Sequence, residues 1–325
     1  MDGVLPGLGE IEDAAKLIYR SMPATPQYSW PLINARAGAE VWVKHENHTP
    51  VGAFKVRGGL VYMDWLRRER PEIRTVISAT RGNHGQSIAF AAAQHGVRAV
   101  IVVPLGNSVE KNRAMRGQGA ELVEFGEDFQ AASDHAVQLA EERGWHRVPS
   151  YDRLLVTGVA TYALEMLSAC PVMETVYVPI GLGSGVSGMI AVRNALGLTT
   201  KIVGVVSSLA PAYALSFVEG RAVEHEATTA IADGVACRKP DEVALEIVKA
   251  GAERIVMIDD DEAKEAMRIY FAATHNVAEG AGALGLAALL KDRGARGAKV
   301  GTVLSGGNVD SDTFSGVLGG GIARS

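Results

Sequence analysis

The sequence predicts an α/β protein of parallel sheets flanked by helices, and two observations carry that prediction. Short apolar runs alternate with helical stretches along most of the chain, and several of the runs end in turns rich in glycine or polar residues. The expected strands are Thr75–Ala79, Ala99–Val103, Leu122–Phe125, Val176–Ile180, Ile202–Val206, Ile255–Ile258 and Val300–Leu304. Phe129–Arg143, ending at Gly144, and Asp261–Thr274 have the apolar spacing of amphipathic helices, and their stripes read as core faces. No internal repeat, low-complexity tract or long linker interrupts this pattern.

Composition narrows the function classes. The 325 residues, 47% hydrophobic and 21% charged, suffice for one large or two moderate domains. A net charge of −5 without a Lys/Arg block gives no electrostatic footprint for nucleic acid or an anionic membrane surface. The opening Met1–Gly7 lacks a basic region followed by an apolar stretch, and no apolar run approaches the ~20 residues of a membrane span, so a cytoplasmic protein is expected. Cys170 and Cys237 form no C-x-x-C or Cys/His cluster, which implies neither a disulfide framework nor a zinc site. Both read as buried small hydrophobes. Of the eight histidines, only His84 stands out by its location.

Three segments carry candidate chemistry. Lys55 lies within the apolar surroundings of Pro50–Val56, just before the pair Gly58-Gly59, which would let other groups approach closely. Burial there would lower its pKa and make it a Schiff-base lysine, while a solvated lysine on a helix is the other reading. The second segment, Thr80-Arg81-Gly82-Asn83-His84, follows the strand Thr75–Ala79 and precedes the Ala-rich stretch Ile88–Ala93. It crowds hydroxyl, guanidinium, amide and imidazole groups at a helix start, where free backbone N–H groups attract a carboxylate.

The third segment, Gly181-Leu182-Gly183-Ser184-Gly185-Val186-Ser187-Gly188, is a strand-to-helix glycine turn that contains the pattern G-x-G-x-x-G. A dinucleotide site would also need an acidic residue at the end of the next strand to hold the ribose, but that strand ends in Val205-Val206-Ser207-Ser208. A compact phosphate without a ribose fits better. A plain tight turn stays open. A lysine nucleophile, a phosphate cradle and a carboxylate-sized polar turn together point to pyridoxal phosphate acting on an amino acid.

Lys55 with Phe54 and Arg57-Gly58, the Gly82-Asn83-His84 turn, the glycine loop and Leu304-Ser305-Gly306-Gly307-Asn308 stand in one order across nearly the whole chain. Together they resemble the serine/threonine dehydratase branch of the fold type II pyridoxal phosphate enzymes, which includes the serine racemases. The resemblance implies two α/β domains, similar to the tryptophan synthase β-subunit, with the cofactor between them. The large domain would comprise residues 1–59 and 149–325 and the small one residues 60–148. It also implies a homo-oligomer, a dimer or tetramer. With the chain ending soon after Asn308, no C-terminal regulatory domain is expected.

The same resemblance implies roles. Lys55 would hold the cofactor and take the substrate's Cα proton, with Phe54 packed near the ring. Gly181, Leu182, Gly183, Ser184 and Gly185 occupy the phosphate-loop positions; Leu182 and Ser184 replace glycines of the commoner run, which leaves the backbone N–H groups in place. Asn83 matches the residue that bonds the ring hydroxyl, and Thr80, Arg81, Asn83 and His84 lie on the substrate-carboxylate turn. Glu279 aligns with an acidic residue near the ring, although alone it passes for a helix-start carboxylate. Ser305 falls opposite the pyridine nitrogen, where a neutral hydroxyl weakens the electron sink and favours prompt β-elimination; alone it reads as a turn serine.

The implied reaction is α,β-elimination, in which a 3-hydroxy-L-amino acid loses water and yields a 2-oxo acid and ammonia. Threonine, serine, 3-hydroxyaspartate and phenylserine are all candidate substrates, and Arg81 would pair with a side-chain carboxylate or simply reinforce the α-carboxylate. A β-replacement enzyme of the cysteine synthase type is a rival, but such enzymes usually carry threonine after Gly-Asn, whereas His84 follows Asn83 here. The other rival is a non-catalytic sensor of pyridoxal phosphate or an amino acid. Serine racemases carry a proton-returning serine at the position of Arg81, and guanidinium, with a pKa above about 12, is a poor proton donor. Little racemase activity is therefore expected.

Metal-dependent relatives place acids where this chain has Val206 and Ala212, which removes the charged oxygen ligands a hard cation prefers. The expected outcome is activity that survives a chelator and gains nothing from added Mg²⁺. Loss on chelation with recovery on Mg²⁺ would overturn that expectation.

Overall fold

The protein is described from a computed structural model covering residues 4–292 and 298–320, so the expected outer domain limits at 1 and 325 and the start of Met1–Gly7 lie outside the described residues. Ten strands occur among them: β1 (Gln27–Ser29), β2 (Glu40–His45), β3 (Thr75–Ala79), β4 (Arg98–Val103), β5 (Glu121–Glu124), β6 (His146–Arg147), β7 (Thr175–Pro179), β8 (Lys201–Ser207), β9 (Arg254–Ile258) and β10 (Lys299–Leu304). One sheet has the order β1-β2-β10-β7-β8-β9, the other β5-β4-β3-β6. Only β1 runs antiparallel to its neighbour.

All seven expected strands are present, within a residue at each end. β1, β2 and β6 were not expected, for identifiable reasons. β1 and β6 are three and two residues long, too short to show a period. β2 ends in Lys44-His45, whose polarity hides a buried strand; Lys44 is buried because it donates to Glu165 and to the Thr25 carbonyl.

Both sheets carry apolar side chains on both faces, as parallel sheets covered by helices require. In the larger sheet Val176, Val178, Ile202 and Val206 pack on helices Arg153–Ala169 and Ser184–Ala195, while Tyr177, Val203 and Val205 pack on Asp260–Thr274 and Gly280–Lys291. In the smaller, Val76, Ala99 and Ile101 face Lys55–Glu69 and Asn83–Gln94, and Ile77, Val100 and Val102 face Phe129–Arg143. Gly144 closes that last helix at φ 64°, a left-handed conformation that glycine adopts freely. Cys170 and Cys237 are both free and buried. No helix among the described residues is long and apolar enough to cross a membrane.

Helix Lys55–Glu69 crosses Arg153–Ala169 almost backbone to backbone. A Cβ on Gly58 would meet the Leu155 carbonyl oxygen at 2.8 Å, and one on Gly158 would meet the Arg57 carbonyl oxygen at 2.2 Å. The Gly58-Gly59 pair thus serves close approach. At the same crossing Arg57, fully buried, donates to both oxygens of Glu46 at 2.7 and 2.9 Å and to both of Glu165 at 2.7 and 3.0 Å. Burial opposes the charge, yet the two carboxylates outweigh it and hold the guanidinium protonated more firmly than usual. Arg57→Met strands these carboxylates in the interior. The expected loss is about 3–5 kcal/mol, read as a fall in the urea midpoint. An unchanged midpoint would show that the cluster is not needed for stability.

Candidate active site

β3, β7 and β10 end at Ala79, Pro179 and Leu304, and each is followed by one of the motif turns at the strand's carboxyl end, where parallel α/β sheets commonly bind ligands. The segment before helix Lys55–Glu69 is fastened to the turn after β10. Phe54 N–H donates to the Ser305 carbonyl at 3.0 Å, and Ala53 bridges to Gly306. Lys55 then reaches the turn after β7: its Nζ donates to Ser184 Oγ at 3.1 Å.

Lys55 begins a helix and is half-buried against the glycine loop. Burial pushes its amine down to about 8. The Phe54 ring centroid lies 5.2 Å from Nζ, and the ring packs edge-on against Tyr162 at 6.1 Å. On the other side Ser87 Oγ donates to the Lys55 carbonyl at 2.6 Å, which ties the starts of helices Lys55–Glu69 and Asn83–Gln94 together.

The glycine loop is shaped by its neighbours. A Cβ on Gly181 would lie 2.4 Å from the Gly234 carbonyl oxygen, and one on Gly183 would lie 2.7 Å from Ala244 and 2.9 Å from the Tyr213 hydroxyl. Gly183 also has φ 103°, a region that side chains disfavour. Tyr213 donates its hydroxyl to the Leu182 carbonyl at 3.0 Å, and Tyr162 donates to the Gly185 carbonyl at 2.9 Å. The first-turn N–H groups of helix Ser184–Ala195 form the loop's anion-binding end. An amine one hydrogen bond from that end fits pyridoxal phosphate, whose aldehyde and phosphate stand on neighbouring ring substituents.

The turn after β3 is partly buried. Thr80 is buried, and its Oγ1 accepts from Gly82 N–H at 3.0 Å. His84 is buried with no partner for Nε2 among the described residues; burial, with the Lys55 charge adding, pushes it down to about 3, so the ring stays neutral. Asn83 Nδ2 donates to Glu279 Oε1 at 2.7 Å. Arg81 is exposed, and no bond among the described residues ties it to the other candidates. Glu279 and Ser305 are both buried. Burial pushes the Glu279 carboxyl up to about 7 against the pull of Lys111 and Asn83.

Every predicted residue is therefore joined to the cluster by packing, a bond or a shared segment, but the Arg81 side chain is exposed and shares only the segment. Tyr162, Tyr213 and Asn308 also hold it, and none stood out as a site residue in the sequence. The tyrosines lie within helices without a local signal, whereas Asn308 closes a motif and donates to Asn83 Oδ1 at 2.8 Å. Val206 and Ala212, at the positions where metal-dependent relatives carry acids, are buried apolar residues.

Residues 20–306 match the family described as pyridoxal-phosphate dependent enzyme. The L-threonine ammonia-lyase of Thermotoga maritima is 31% identical over 319 residues, 98% of this chain and 79% of that protein. The L-threo-3-hydroxyaspartate ammonia-lyase of Saccharomyces cerevisiae is 32% identical over 98% of both chains. Among solved structures, maize serine racemase superposes with a TM-score of 0.89 at 26% identity, covering 97% of each chain. With these likenesses and a lysine set against a glycine-lined anion cradle, the chain belongs to the pyridoxal-phosphate dependent enzymes.

Proposed function

We propose that the protein is a dehydratase, or ammonia-lyase, that converts a 3-hydroxy-L-amino acid to a 2-oxo acid and ammonia. The observation that carries this reading is the amine of Lys55, depressed by burial and set 3.1 Å from Ser184 of the glycine loop. The names of relatives aligned over nearly the whole chain support the substrate class. When bound, pyridoxal phosphate supplies an aldehyde that captures amines and a ring that draws off the electrons of a broken Cα bond.

The chain's own groups do the rest. Lys55, whose amine loses its proton more readily than an ordinary lysine because burial lowers it to about 8, accepts the Cα proton. The turn Thr80–His84 would hold the α-carboxylate through first-turn N–H groups, beside the neutral His84 ring. Gly181–Gly185 would hold the phosphate, and Phe54, Asn83, Glu279 and Ser305 would hold the ring. The uncharged Ser305 hydroxyl favours loss of the β-hydroxyl over a long-lived carbanion.

The division into residues 1–59 with 149–325 and residues 60–148 belongs to the same reading, supported by the four strands of the smaller sheet falling between 75 and 147. Helix Lys55–Glu69 spans that boundary, so it would couple the two units. A cytoplasmic dimer or tetramer completes the proposal.

Two measurements test it. Reductive methylation of Lys55, mapped by mass spectrometry, should have a midpoint at about 8, because below that pH the amine is protonated and unreactive. A midpoint near the ordinary lysine value would remove the burial argument. In the second, serine, threonine, 3-hydroxyaspartate and phenylserine stereoisomers are incubated with the holoenzyme and with Lys55→Ala. Release of 2-oxo acid is expected from the unaltered protein alone, with recovered substrate keeping its configuration. No release from any substrate despite bound cofactor would favour β-replacement or sensing, and inverted substrate would refute the expectation drawn from Arg81.

A further inference from the structure

Asn83, Glu279 and Asn308 come from three distant segments and form one hydrogen-bonded chain. Asn83 Nδ2 donates to Glu279 Oε1 at 2.7 Å; Asn308 Nδ2 donates both to Asn83 Oδ1 and to the Val51 carbonyl, each at 2.8 Å. The direction of the chain is set at one end. A backbone carbonyl only accepts, so Asn308 must turn its NH₂ toward Val51, and its second N–H then meets the oxygen of Asn83. That leaves the Asn83 NH₂ aimed at Glu279, with one N–H that has no partner among the described residues.

The backbone makes room for this arrangement. A Cβ on Gly52 would lie 2.6 Å from Asn308 Oδ1, and one on Gly306 would lie 2.4 Å from Glu279 Oε1. Gly307 N–H donates to the Gly52 carbonyl at 2.9 Å, so the two glycine segments are themselves joined. Val51 precedes Lys55 by four residues, and the chain therefore also fixes the amide relative to the lysine segment.

We infer that Asn308 and Glu279 are positioning residues that lock the Asn83 amide in one orientation, with its remaining N–H turned toward the cofactor ring. This rests on the placement of Asn83 in the proposed function. An amide released from both partners flips readily, and a flip replaces that donor by an oxygen that repels an electron-rich ring substituent. Burial raises the Glu279 carboxyl to about 7 despite Lys111 and the Asn83 bond, with Asp233 adding to the rise; Lys111 itself donates to Asp233 at 2.8 Å. Glu279 thus accepts from Asn83 without imposing a permanent negative charge on the site.

The test reads the absorbance of bound pyridoxal phosphate against pH in the holoenzyme, alongside kcat, KM and melting temperature. Asn308→Asp keeps the size and removes the donor; Glu279→Leu removes the acceptor; Glu279→Gln keeps an acceptor oxygen. Loss of one hydrogen bond at the Asn83 amide predicts that the first two move the spectral midpoint by about one pH unit and lower kcat about tenfold, with KM changed less than about twofold. Glu279→Gln should restore the midpoint. If Asn308→Asp fails to hold the cofactor, Asn308→Ala carries the same measurement. An unmoved midpoint with a lowered melting temperature would make the chain purely structural and overturn the inference, as would a Gln variant that behaves like Leu. Failure to release 2-oxo acid would count against the proposed function instead and leave the spectral result standing.

Discussion

The buried fork of Arg57 between Glu46 and Glu165 is the constraint on which the site depends. It joins the segment after β2, the start of helix Lys55–Glu69 and the middle of helix Arg153–Ala169 at one point. Two residues before Arg57 stands Lys55. Charges so deeply buried are costly unless geometry and hydrogen bonding are nearly complete, and here both oxygens of each carboxylate are used, with Thr161 accepting a further bond at 2.9 Å. The tolerance this leaves for movement of Lys55 is small.

Burial also explains the shared electrostatic character of the site. The Lys55 amine and the His84 imidazole are pushed down and the Glu279 carboxyl is pushed up, each chiefly by loss of solvent. All three shifts favour the neutral form. A site of this kind can move a proton at near-neutral pH while holding a phosphate and a carboxylate through backbone N–H groups, whose partial charges need no counter-ion.

Close backbone approach is the third requirement. Gly58 and Gly158 let two helices cross, Gly181 and Gly183 let the glycine loop pass close to Gly234 and Tyr213, and Gly52 and Gly306 admit Asn308 and Glu279. In each case the occupied space belongs to another segment, so these glycines are requirements of assembly more than of local conformation, except Gly52 and Gly183, which also have positive φ.

Much of this was legible in the sequence. The alternation of apolar runs and helical stretches determined the parallel α/β class, because a strand buried on both faces must be apolar throughout; Lys55, Gly82-Asn83-His84 and the glycine loop were marked by their local patterns, and Ser305 only by the family resemblance. Tertiary structure alone decided that the Lys55 amine meets Ser184 and that Asn308 donates to Asn83, since each depends on contacts between residues more than a hundred positions apart. The short strands β1 and β6 and the polar end of β2 were hidden for the same reason: their pairing is set by neighbours. Sequence determines which groups are present and which elements carry them; burial and hydrogen-bond direction, which convert those groups into a reactive amine and an oriented amide, arise only when distant segments exclude water together.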